Sequence, residues 1–207
     1  MTGPVLTTDR LTLTPVALSD FEDIAALWRD EAFTREITGR ALSEEEVWFR
    51  VLRDLGHWSA LGRGNWSMRL TADGSYVGSV GVLDYRRDVT PAMDAPELGW
   101  GIAGAFQGQG LAREGVEAAL AWVDTVLNVP RTVCMISPGN LASIRLAGRV
   151  GYVTYATGTY HGEPALLLER IKLPSPLALA RTDVSASPSP TVRAAPENSS
   201  SFNARRV

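Results

Sequence analysis

The sequence predicts a single domain of mixed α/β (α+β) class: a central twisted sheet of about seven strands flanked by about four helices. Three observations predict it. Strand-like alternation and helix-like periodicity succeed one another in the order βααβββαβαββ. Two Ser-x-x-Glu boxes, Ser19 with Glu22 and Ser43 with Glu46, each stand before an amphipathic run. Between two apolar runs, Asp73-Gly74 is a strong hairpin signal.

The elements follow in order. "RLTLTPV" (10–16) alternates Leu11 and Leu13 with threonines and predicts a strand. The Ser19 box opens a helix through about Arg29, with Phe21, Ile24, Ala25, Leu27 and Trp28 as its apolar positions; the Ser43 box opens a second, with Trp48, Val51, Leu52 and Leu55 on one face. The intervening "FTREITGRAL" carries no clear element. Strands are expected at 64–70, 76–85 and 96–103. A long helix then presents Leu111, Gly115, Ala118, Ala119, Trp122, Val123 and Val126 on one side. A strand at 131–136, a short helix from Asn140 to about Val150 stopped by Gly151, and a hairpin over 152–172 complete the domain.

At 207 residues, with 45% hydrophobic and 21% charged residues, the chain fits one soluble domain of residues 1–173 plus an appendage. Residues 174–207 hold five of the twelve prolines, many serines and no periodic apolar face, which predicts a disordered Pro/Ser-rich tail. No apolar run is long enough to span a bilayer, so the expectation is a cytoplasmic protein with no membrane partner. The body carries sixteen Lys+Arg against twenty-one Asp+Glu, which argues against nucleic acid as a partner. A single cysteine, Cys134, excludes an internal disulfide and a multi-cysteine metal site, and no metal is expected; in "RTVCMI" it reads as a buried strand thiol.

"AFQGQGLAREGVEAALAWV" (105–123) places two glycines directly before the long helix. A helix N-terminus offers unpaired N–H groups and the positive end of the macrodipole, and glycines there let an anion reach the backbone without meeting a Cβ. The turn is therefore shaped for a phosphate or pyrophosphate. Two familiar phosphate motifs fail. "GWGIAG" (99–104) has the G-x-G-x-x-G spacing but lies inside a strand candidate, and the acid nearest the position about 20 residues on, Glu117, is mid-helix rather than at a strand end. No Gly-Lys-Ser/Thr exists, the only lysine being Lys172.

"QGQGLA" (107–112) resembles the Q/R-x-x-G-x-G/A signature of the GNAT acetyltransferase superfamily. With "ELGWGI", "NLASIRLAGRVGY" and "DRLTLTPVALSDFEDIAALW", residues 9–172 resemble its branch containing ribosomal-protein-alanine N-acetyltransferases. The resemblance implies a GNAT-like fold in which two parallel strands, 96–103 and 131–136, splay apart around acetyl-CoA, the cosubstrate. It further implies that the pyrophosphate rests on the backbone of Gln107, Gly108, Gln109, Gly110, Leu111 and Ala112, while the pantetheine runs along Gly99, Trp100, Gly101 and Ile102. Arg113 reads either as a counter-charge to the phosphates or as an exposed arginine.

The reaction implied is direct attack of a primary amine, on a small molecule or a peptide N-terminus, on the thioester. Glu97 is the expected base, acting through water, or else a carboxylate that only attracts a cationic acceptor. The tyrosine that such enzymes frequently place before "GY" is Ala147 here. Ser143 stands nearest as the hydrogen-bond donor to the leaving sulfur, or is simply a first-turn serine. Asn140 resembles the residue that bonds pantetheine and also reads as an N-cap. The absent tyrosine keeps an alternative open, a non-catalytic acyl-CoA-binding or sensing module of the same fold. Exposed sheet edges make a homodimer an expectation as well.

Overall fold

A computed structural model of the protein describes residues 3–172, which form one compact unit; the expected 174–207 tail lies outside the described residues. In chain order the strands are β1 (Leu6–Thr7), β2 (Leu11–Pro15), β3 (Asn65–Leu70), β4 (Tyr76–Leu83), β5 (Val89–Thr90), β6 (Glu97–Ile102), β7 (Arg131–Ile136), β8 (Val153–Tyr160) and β9 (Glu163–Ile171). The helices are α1 (Phe21–Arg29), α2 (Glu31–Thr34), α3 (Glu44–Leu61), α4 (Leu111–Trp122) and α5 (Leu141–Arg149). Each of the seven expected strands is present. The two-residue β1 and β5 and the one-turn α2 are additional, too short for any periodicity to announce them.

The strands form one sheet in the order β1-β2-β3-β4-β6-β7-β9-β8-β5, antiparallel except for β6 and β7. That parallel pair needs a crossover, and α4 supplies it. Cross-strand register puts Met68, Gly78 and Ile102 on one face and Ser79 and Gly101 on the other. α4 covers the first: a Cβ on its Gly115 would stand 2.3 Å from the Met68 sulfur, so the missing side chain sets how closely the helix approaches. Leu111, Val116, Ala119, Leu120, Trp122 and Val123 pack there with Leu11, Leu13, Trp66, Val80 and Leu98. α1 and α3, with Val16 and Leu42 from the connections before them, supply a second cluster that includes Ile24, Ala25, Val47 and Val51. Trp66 lies 4.8 Å from Trp58 and 5.3 Å from Trp122, edge to face, tying α3 and α4 to the sheet; each such pair adds about 0.5–1.5 kcal/mol beyond its buried area.

The helix starts divide. Ser43 caps α3 as expected, its side chain accepting from Glu46 N–H while Glu46 accepts from Ser43 N–H. The Ser19–Glu22 box does not form. Leu18–Asp20 makes a 3-10 turn, and Asp20 takes the capping role by accepting from Ala17 N–H at 3.0 Å. The same buried carboxylate accepts from Ser67 Oγ and from Arg69, both at 2.8 Å, partners that Ser19 has no counterpart for.

Two apolar faces are also rotated. On α3 the buried positions are Val47, Val51, Asp54, His57 and Trp58, whereas Trp48 and Leu52 are each 41% exposed. Asp54 fixes this rotation by accepting from Asn65 Nδ2 at 2.9 Å and Tyr85 OH at 3.1 Å. After α4 the chain widens into a π-turn over Val123–Leu127, which breaks the 3.6-residue period and leaves Val126 exposed. Among the described residues no helix is long and apolar enough to cross a membrane.

Candidate active site

β6 and β7 touch at one point. Glu97 pairs with Val133, and Val133 N–H donates to Pro96 O at 3.0 Å. On their outer sides both strands are fully laddered, β6 to β4 over residues 97–102 and β7 to β9 over residues 131–136. Past the Glu97–Val133 contact the facing edges therefore diverge with their polar backbone groups unpaired by each other. Such an edge favours an extended ligand that itself carries amide groups. Gly99, Trp100, Gly101 and Ile102 lie along it. Trp100 and Ile102 point to the α4 side, where Trp100 packs against the larger core cluster. Gly101 faces α2, and a Cβ on it would lie 2.7 Å from the Phe33 ring.

From Ile102 the chain makes a 3-10 turn at Gly104–Phe106 and enters the glycine turn. Gly108 and Gly110 have φ of +75° and +81°, the left-handed region, and Gly110 is the N-cap of α4 with no side chain capping the helix. The first-turn N–H groups of α4 thus depend on water or a ligand. Gln107 and Gln109 brace the turn from within: Gln107 Nε2 donates to Ile102 O at 3.2 Å and Gln109 Nε2 to Ala105 O at 2.9 Å. Leu111 is buried against the core and Ala112 half-buried.

The cation over the turn is Arg10. It donates to Gln109 O at 3.0 Å and pairs with Glu114, which also accepts from Thr8 Oγ1 at 2.6 Å. Partial burial works against the Glu114 charge, yet these bonds hold its carboxyl below the ordinary value. Arg113 instead pairs with Glu117 one turn along the exposed face of α4, at 2.8 Å. Arg10 lies in the stretch that opens the resemblance, but no phosphate role is expected of it there; the β2–α4 packing brings it to the turn.

Glu97 sits where the strands meet and is 6% exposed. Its Oε2 accepts from Arg87 Nε at 2.7 Å, and Arg87 Nη1 donates to Tyr160 OH at 3.0 Å. Burial opposes the Arg87 charge, but Glu97 outweighs it and holds the guanidinium above its ordinary pKa. On the far side of Arg87 lies a cavity of about 420 Å³, lined by Arg53, His57, Tyr85, Arg87, Tyr160 and His161 among others. Both His57 ring nitrogens face backbone carbonyls, Arg53 O at 3.0 Å and Asp84 O at 3.3 Å, so packing rather than a helix end holds it. His161 occupies the β8–β9 turn with φ +51° and stacks on Tyr160. Sequence reading missed Arg87, whose loop between β4 and β5 carries no periodic signal.

Across the wedge, β7 leads into α5. Asn140 is its N-cap: the Oδ1 accepts from Ser143 N–H at 3.0 Å, which commits that oxygen to the helix. Ser143 is half-buried in the first turn, and Ala147 is fully buried, so no hydroxyl exists at that position. Ser137 Oγ donates to Glu36 at 3.4 Å, so the segment after α2 reaches over to the end of β7. Cys134 is 1% exposed, and burial raises its thiol pKa, with Glu97 adding to the effect. Among the described residues no group of three or more His, Cys, Asp or Glu side chains is placed to hold a metal ion.

A half-splayed parallel pair feeding an uncapped, glycine-started helix is the architecture of an acyl-CoA-dependent transferase. Residues 10–153 match the family of the acetyltransferase (GNAT) domain. A solved structure described as a GnaT-family acetyltransferase from Bordetella pertussis is 36% identical, with a TM-score of 0.73, covering 81% of this chain and 99% of that one. An acetyltransferase from Agrobacterium tumefaciens is 27% identical with a TM-score of 0.71, covering 83% and 96%. A ribosomal L7/L12 alpha-N-protein acetyltransferase in complex with coenzyme A shares the fold at 16% identity and a TM-score of 0.67, covering 81% and 98%. The chain belongs to the GNAT acetyltransferase family.

Proposed function

We propose that this chain is an N-acetyltransferase that moves the acetyl group of acetyl-CoA to a primary amine by direct attack. One observation carries the reading: β6 and β7 part immediately after Glu97 and Val133, and the β6 edge runs straight into the Gly108–Gly110 turn. The unpaired edge of Gly99–Ile102 suits the amides of a pantetheine arm. The N–H groups of residues 108–112 suit the pyrophosphate, with Arg10 as the nearby cation. That a fold relative holds coenzyme A supports the same ligand.

In this reading the amine nitrogen forms the C–N bond while the C–S bond breaks, its electron pair staying on sulfur. One proton leaves the amine and one reaches the thiolate, so the products are an amide and a free thiol. Glu97 accepts the amine proton through water: its Oε2 is held by Arg87, and its Oε1 has no hydrogen-bond partner among the described residues. Backbone N–H groups on the β6 edge meet the developing oxyanion. Ser143, at the start of α5, hydrogen-bonds the leaving sulfur, and the Asn140 Nδ2 remains a donor for pantetheine once its Oδ1 caps the helix. The acceptor enters between the 31–42 connection and the β8–β9 turn, and the enzyme works in the cytoplasm.

Titrating acetyl-CoA into the protein by calorimetry, then following thiol release with a panel of amines, tests the reading. Binding with turnover is the expected result; no heat on titration overturns it. The buried Ala147 favours a second reading, an acyl-CoA-binding module without catalysis, and binding without thiol release from any amine would select that one. The dimer expectation keeps its basis: β5 pairs only with Thr159 and Tyr160 of β8, so the outer edge of β8 over residues 153–158 has no strand partner among the described residues.

A further inference from the structure

The acceptor side of the site is built from arginines. Arg50 and Arg53 lie three residues apart on α3 and so share a face. Arg53 stacks 4.0 Å from the Tyr85 ring centroid, and Arg87 lies 4.9 Å from the same ring. Arg50 stacks 4.1 Å from the Trp28 ring; Trp28 packs edge-on against Phe33, the side chain that covers Gly101 of β6. A row of guanidiniums on aromatic faces therefore runs from the Glu97 end of β6 to its Gly101 end.

The nearby acids neutralise this row only in part, at Arg53 and Arg87. Asp54 is committed to Asn65 and Tyr85, and it meets its sequence neighbour Arg53 only at 3.4 Å. Asp84 pairs with Arg63 and Arg86, each at 3.3 Å, Glu97 holds Arg87, and Asp88 is exposed. Among the described residues no ion pair includes Arg50. Burial, and then the charge of Arg53, pull the Arg50 pKa down, so an anion placed between the two would relieve both. Arginine forks match carboxylate and phosphate oxygens. A cavity of about 420 Å³, of a size for a small molecule, is lined by Arg53, Arg86 and Arg87 together with Asp84 and Asp88, and Arg50 lies beyond its lining, one helical turn before Arg53.

We propose that the acceptor is a small primary amine that also bears an anionic oxygen group, a carboxylate or a phosphate, received by Arg53 and Arg50 while its amine reaches Glu97. This rests on the acetyl-transfer reading and names the substrate class for it.

The test compares matched acceptors in the thiol-release assay with the full chain: α-amino acids against their α-amides, O-phosphoethanolamine against ethanolamine, and a diamine. The anionic member of at least one pair is expected to have the higher kcat/KM by about tenfold or more, and the pair that responds identifies the anion. Arg53→Gln and Arg50→Gln should each raise KM for that acceptor while leaving the acetyl-CoA Kd unchanged, and Arg→Lys at either position should recover part of the loss. Preference for the amide, the amino alcohol or the diamine overturns the proposal and leaves acetyl transfer standing. So does an equal loss on neutral and anionic acceptors in the Gln variants, which marks a packing role only. Failure of acetyl-CoA to bind at all removes the acetyl-transfer reading itself, and this proposal with it.

Discussion

Replacing Gly110 by valine strikes the turn on which the proposed nucleotide end of the site depends. At φ +81° a side chain is strained wherever it points, by about 1–2 kcal/mol and more for a β-branched residue. For a domain of this size that strain corresponds to a fall in Tm of about 2–8 °C. The new side chain would meet only Arg10, 3.5 Å from its Cβ, so the fold has room for it. It would stand instead beside the N–H groups assigned to the pyrophosphate. Losing one hydrogen bond to a charged group costs about 1.5–3 kcal/mol, or roughly ten- to hundredfold in Kd.

Gly74 supplies the matched control. It has φ +76°, nothing within 4 Å of its Cβ position, and a place in the β3–β4 hairpin. Gly74→Val should show a comparable Tm loss with the acetyl-CoA affinity unchanged, while Gly110→Val loses both. Calorimetric titration of acetyl-CoA beside thermal melts of the two variants reads this difference. Wild-type affinity in Gly110→Val, or equal weakening in both variants, would refute the reasoning.

Other perturbations separate the remaining parts. Glu97→Gln should lower kcat/KM and flatten its rise with pH without changing the acetyl-CoA Kd; an unaltered pH profile removes Glu97 from proton transfer. Arg40 and the Ser43 backbone depress the Glu46 carboxyl from 4.5 to about 2. Because the folded value is the lower one, its stabilisation is complete above 4.5 and lost as the pH falls towards 2. The stability gap between wild type and Glu46→Gln should therefore close over that window in acid denaturation; a constant gap contradicts the pairing. Ser43→Ala should cost about 1 kcal/mol, read as a drop in Tm of a few degrees. Truncation after Lys172 should leave acetyl-CoA affinity intact, since every candidate site residue precedes it; loss of binding would place part of the site in 174–207.

What could be read from the sequence divides along a physical line. β7 falls on its expected residues, 131–136, and the α3 cap and the Asp73-Gly74 hairpin form as expected because their causes are local: alternation, a side chain within three residues, a glycine at positive φ. Gly108 and Gly110 announce the glycine turn proposed to hold the pyrophosphate for the same reason. The helix faces were less legible. Trp48 and Leu52 satisfy the period of α3, but the hydrogen bonds of Asp54 to Asn65 and Tyr85 rotate the helix away from them. Hydrophobicity alone cannot anticipate that choice, because the deciding partners are 11 and 31 residues away.

The same division explains why the arginines of the proposed acceptor end left no trace in the sequence when the proposed nucleotide end did. A backbone-built anion site needs a contiguous run of residues, so it leaves a short, ordered trace in the chain. A side-chain-built pocket needs only convergence. Arg53 comes from α3, Arg87 from the β4–β5 loop and Tyr160 from the end of β8, and the Arg87–Tyr160 bond spans 73 residues. Arg10 joins the glycine turn across about a hundred residues by the same route. None of these stands in a pattern that its neighbours explain. Backbone contacts can hold a constant cosubstrate in one register, while dispersed side chains can change singly without disturbing it. On that account, substitution at Arg53 or Arg50 alters which amine is accepted, whereas substitution at Gly110 alters whether the acetyl carrier is held at all.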